Sequence, residues 1–64
     1  MHDYNVIFDY PASGDYLANF TVSANNLKKA KQRAQFNKRM YCRYDKPANI
    51  PANRIRVIVK RIWN

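Results

Sequence analysis

Apolar and polar residues alternate along three separate stretches of this chain, each with the two-residue period of a β-strand. The first stretch runs from Tyr4 to Tyr10. Tyr4, Val6, Phe8 and Tyr10 share one face, and Asn5, Ile7 and Asp9 share the other. The second runs from Tyr16 to Val22, with Tyr16, Ala18, Phe20 and Val22 in phase. Between them, Pro11-Ala-Ser-Gly-Asp15 reads as a turn. Pro11 has no N–H to give a ladder, and Gly14, the single glycine, can take positive φ. Two alternating runs joined by a short Gly-containing loop predict a β-hairpin. The third and strongest run lies near the other end, from Asn53 to Trp63. There Ile55, Val57 and Val59 alternate with Arg54, Arg56, Ile58 and Lys60.

Between the hairpin and the last strand the period becomes helical. Ser23-Ala-Asn-Asn26 supplies side chains that cap the free N–H groups of a helix start. The helix is expected from about Asn26 to Arg39 or slightly beyond. Leu27, Ala30, Ala34 and Tyr41 form its buried stripe, and the two alanines allow close approach to a sheet. Phe36 and Met40 fall off that stripe, against the following loop or in solvent. The stretch from Cys42 to Asn53 holds Pro47 and Pro51 and reads as a loop. Ile62 and Trp63 are expected to cap the edge of the core.

The order strand, strand, helix, strand predicts an α+β fold in one domain spanning residues 1–64. Its sheet has three strands, antiparallel or mixed, in the order 2-1-3, because the chain crosses one sheet face as a helix and returns beside the first strand. One face, covered by the helix, takes Tyr4, Val6, Phe8, Phe20, Val22, Ile55, Val57 and Val59. The open face takes Asn5, Ile7, Leu17, Asn19, Thr21, Arg54, Arg56, Ile58 and Lys60. On it, Ile7, Leu17 and Ile58 form a small apolar patch ringed by cations, a pattern of protein-docking surfaces. The plainer alternatives are that these three cover one another or are buried in a homodimer.

Composition removes several kinds of chemistry. A single cysteine, Cys42, cannot form an internal disulfide, and a single histidine, His2, makes no metal cluster. No metal and no cofactor are expected. The carboxylates Asp3, Asp9, Asp15 and Asp45 have no evident base or metal partner, and one glycine cannot build a phosphate loop. The chain therefore does not read as an enzyme. No apolar run is long enough to cross a bilayer, so no membrane partner is expected. An unpaired thiol suits the reducing cytoplasm.

Charge changes the picture most. Twelve Lys and Arg stand against four Asp and no Glu, a formal net charge of +8. Such a charge repels itself in the folded state, and a mixed surface would serve solubility with less repulsion. The cations fall in two groups: Lys28, Lys29, Lys31, Arg33, Lys38 and Arg39 on the helix, and Arg54, Arg56, Lys60 and Arg61 on the last strand. Each group is also readable as an ordinary solvated face. With so few acids to neutralise them, a net positive field projects. The expected partner is nucleic acid, held through its phosphates, or an acidic surface on a host protein.

The residues "FTVSANNLKKAKQRA" followed by "RIRVIVKRI" resemble the layout of a phage family, the small early inhibitors of bacterial RNA polymerase from short-tailed lytic phages. The matching positions are Val22, Ala24 and Ala30 running into the helix, then Arg54, Ile55 and Arg56. The resemblance implies one helix on three strands. It also implies that Arg54 and Arg56 bind an acidic part of a host polymerase, in the host cytoplasm. The family's helix is acidic, whereas this one is strongly basic.

Overall fold

A computed structural model describes residues 1–62. Strand β1 (His2–Tyr10) and strand β2 (Asp15–Ala24) form the hairpin, helix α1 (Leu27–Tyr44) follows, and strand β3 (Arg56–Arg61) closes the sheet. The sheet order is β2-β1-β3 with both pairings antiparallel, and α1 packs on one face. The expected α+β architecture, with the first strand in the middle, is the one observed. Trp63, expected at the core edge, lies outside the described residues, and Ile62 is exposed.

The hairpin turn closes on Tyr10, whose carbonyl accepts from the N–H groups of Ser13 and Gly14 at 3.1 and 3.0 Å. Gly14 has φ 74°, the left-handed geometry that a side chain would strain. The pairing from Tyr4↔Val22 to Phe8↔Ala18 is regular, and then a bulge shifts it so that Asp9 faces Tyr16. Two residues are thereby moved from their expected faces. Tyr16, read in phase with Ala18, instead lies opposite Asp9 and is exposed. Leu17, read as part of the open-face patch, is the additional residue of the bulge and packs against the core.

The core follows from the covered face. Val6 and Phe8 are fully enclosed and cluster with buried Ala34, Ile50 and Ile55, while Tyr4, Ala24 and Ala30 form a second cluster. The Phe8 ring meets Phe20 edge-on at 5.3 Å between centroids and Tyr41 at 5.6 Å, both favourable aromatic separations. Ala30 and Ala34 have no exposed surface, so the helix backbone sits close to the sheet. Leu27, expected on that stripe, is exposed instead, as are Phe36 and Met40. The Asn26 side chain accepts from the Lys29 N–H at 2.9 Å and starts the helix as its cap.

The helix runs five residues past Arg39, taking Cys42, Arg43 and Tyr44 out of the expected loop. The loop then contributes a core residue of its own, Ile50. Lys46 holds this segment by donating through Nζ to the carbonyls of Pro47 and Ile50. Residues Ala52–Arg54 form one 3-10 turn, so Arg54 precedes β3 rather than standing on the open face. No helix is long and apolar enough to cross a membrane among the described residues.

Candidate functional site

A helix whose buried stripe is alanine must place its long side chains elsewhere, and in α1 all the charged ones are cations. No Asp or Glu occurs between Tyr16 and Tyr44. At about 100° per residue, the cations fall into rows on the two flanks of the outward surface. Lys28, Lys31 and Arg39 line one shallow hollow with Leu27, Gln32, Gln35 and Phe36. Lys29 and Arg33 line another, on the β2 side, against Val22, Ala24 and Phe36. Arg43 continues the outward row one turn beyond Arg39, its guanidinium carbon 5.4 Å from the Tyr44 ring centroid. Arg43 was absent from the sequence reading because the helix was expected to end near Arg39. Its signal was present, since Tyr41 already continued the Ala30–Ala34 stripe past that point.

Lys38 behaves differently from its neighbours. It is half-buried, and its Nζ donates to the Ile55 carbonyl at 3.0 Å, bracing α1 against the approach to β3. Its charge is turned inward, to the protein's own backbone.

The strand cations are dispersed. Arg56 Nε donates to Asp9 Oδ1 at 3.1 Å and Nη2 to Asp9 Oδ2 at 2.6 Å, a two-pronged pair between residues directly opposite in the β1–β3 ladder. Asp9 is 5% exposed, the one buried charged residue described. The Arg56 hydrogen bonds hold its carboxyl below the ordinary value, and the same contact raises the guanidinium. Arg61 lies opposite Tyr4, toward the covered face, and meets His2 Nδ1 at 3.0 Å. Lys60 stands on the open face opposite Asn5, and Arg54 is exposed in the 3-10 turn. The four strand-region cations thus occupy three different settings and form no row.

The open face is mixed in sign. Asp3 accepts from Ser23 Oγ at 2.7 Å, and Asp9 lies further along the same strand face, beside Arg56. Ile7 and Ile58 are direct partners there and half-buried, without Leu17. The apolar patch is therefore two side chains, not three.

The side chains of Lys28, Lys29, Lys31, Arg33, Arg39, Arg54 and Lys60 make no hydrogen bond or ion pair among the described residues. Five of those seven are on α1. Asp45, the helix C-cap, is the nearest acid in sequence to that surface. The sequence assigns phosphate contact to the helix and the last strand together. The geometry separates them: α1 presents a cationic surface with no acid in it, whereas β3 has one arginine neutralised and the others scattered. No protein-family model, no curated protein and no solved structure matches the chain.

Proposed function

We propose that the protein is a non-enzymatic binding module of the cytoplasm that holds nucleic acid by its phosphates across the outer face of α1. Lys28, Lys31, Arg39 and Arg43 are the contact residues, with Gln32 and Gln35 between them as neutral donors. The observation that carries this reading is an eighteen-residue helix with cations along its outer face and no acid anywhere in it. Phosphate neutralisation with counterion release needs that arrangement and little else, so binding is weakly selective for sequence. Arginine adds two-pronged donation to phosphate oxygens at positions 39 and 43. The single free-standing cysteine supports the cytoplasmic setting.

Fluorescence anisotropy with labelled DNA and RNA across a salt series tests the reading. Binding that weakens steeply with salt is expected. No binding to either polymer at low salt overturns it. If nuclease-treated lysate then yields a stoichiometric acidic protein, the host-protein alternative replaces it.

A further inference from the structure

Among the described residues strand β2 is an edge, paired on one side only, to β1. Along its outer side, alternate residues present N–H and C=O groups with no strand to receive them. Folded proteins guard such edges with charge, proline, bulges or brevity. The opposite edge obeys this rule, since six-residue β3 carries Arg56, Lys60 and Arg61. Strand β2 is guarded only at its start, by the bulge at Leu17: it is ten residues long, and from Ala18 to Ala24 it is regular and has neither a charge nor a proline.

A second observation lies along the same edge. Phe36 is 59% exposed and Met40 40% exposed, and both overhang β2 rather than β3. Phe36 shares a hollow with Val22 and Ala24, and Met40 shares one with Ala18 and Phe20. The edge is therefore an apolar strip as well as a ladder open from Ala18 to Ala24. Its ends are oppositely charged, with Lys29 and Arg33 at one and Asp45 at the other.

We infer that the β2 edge pairs antiparallel with the same edge of a second copy of this chain, about a two-fold axis near Phe20. The product is a continuous six-stranded sheet with both helices on one face. A two-fold contact is self-complementary, so Lys29 and Arg33 of each copy meet Asp45 of the other. That pairing offsets part of the repulsion between two cationic bodies. The spacing accounts for the exposed side chains. With α1 above the middle strand, the two helix axes stand three strand spacings apart, about 14 Å. Helices in direct contact stand about 8–10 Å apart. The remaining gap takes large apolar side chains, and Phe36 and Met40 from both copies occupy it. Phe36 also borders the hollow of Lys28, Lys31 and Arg39, so those cations flank the contact on its outer side.

Sedimentation velocity from micromolar to millimolar protein tests the inference. A mass rising from one chain to two is expected. Thr21→Lys adds a cation beside the axis in each copy and is expected to raise the dissociation constant about tenfold or more. Lys60→Gln, on the other edge, leaves it unchanged. Asp45→Lys weakens the dimer, and adding Arg33→Asp restores it. Circular dichroism confirms that each variant is folded. A single-chain mass at every concentration overturns the inference, as does a dimer indifferent to both Thr21→Lys and Asp45→Lys. Capture of an extended peptide along β2 by a chain that stays monomeric overturns it too.

Discussion

A carboxylate with one-twentieth of its surface exposed sits on a sheet face otherwise open to water, and a guanidinium from 47 positions away meets it. Asp9 is thereby held ionised, with its folded-state pKa below the ordinary 3.8. The stabilisation is fully present above the unfolded value and is lost as pH falls through the lower folded one. Acid titration followed by circular dichroism is expected to show Asp9→Asn melting a few degrees lower than the wild type at neutral pH. The two curves converge once the wild-type carboxyl is protonated. Nothing local in the sequence announced this pair, because Asp beside a Pro-Gly turn is ordinarily a turn residue. Ile50 was hidden for a similar reason, lying between two prolines where no periodicity operates. Leu17 was misplaced because a bulge changes which face a residue occupies, while leaving the alternation in the sequence looking intact. Phe8 was legible from the start. Its replacement by Ala removes a ring packed against two others, a loss of about 3–5 kcal/mol. Domains hold roughly 0.05–0.15 kcal/mol per residue, so Phe8→Ala is expected to lose about a third or more of its unfolding free energy in a urea titration extrapolated to water.

At the level of elements the period did most of the work. Two strands, a Gly turn, a capped helix and a final strand were readable because each has its own spacing and its own boundary residues. The boundaries slipped where tertiary contacts, not propensity, decide them. The helix passes Arg39 because Tyr41 and Cys42 have a core to pack against, and β3 starts late because a 3-10 turn precedes it. The same helix opposes its own dipole. Lys28 and Lys29 occupy the first turn, which contains no acid. Lys28→Glu is therefore expected to stabilise the fold by about 0.3–1 kcal/mol while weakening binding to nucleic acid. Chemical denaturation and anisotropy on the same sample check both halves. A variant that gained stability without losing affinity would remove Lys28 from the interface. Loss of the Asn26 cap acts in the other direction: Asn26→Ala costs about 1 kcal/mol in the same denaturation assay, with affinity per folded molecule unchanged.

For the molecule as a whole, the net charge of +8 was evident from the sequence, but its distribution was not. Whether a cation projects or is consumed internally depends on partners distant along the chain. Lys38, Lys46 and Arg56 are each engaged by the protein itself, which leaves α1 as the principal free cationic surface among the described residues. Four phosphate contacts on duplex DNA, at about −0.9 each, give an expected log–log salt slope near −4. Arg39→Gln with Arg43→Gln is expected to halve it, and a slope unmoved by that double change would place contact elsewhere. The sheet order has a separate consequence, for synthesis. The strand made first is the middle one, and its second neighbour is made last. Until β3 has left the ribosome, one flank of Phe8 has no Val57 beside it, and the sheet is only a two-stranded hairpin. A premature stop codon anywhere before β3 therefore yields material for proteases, not a smaller working domain.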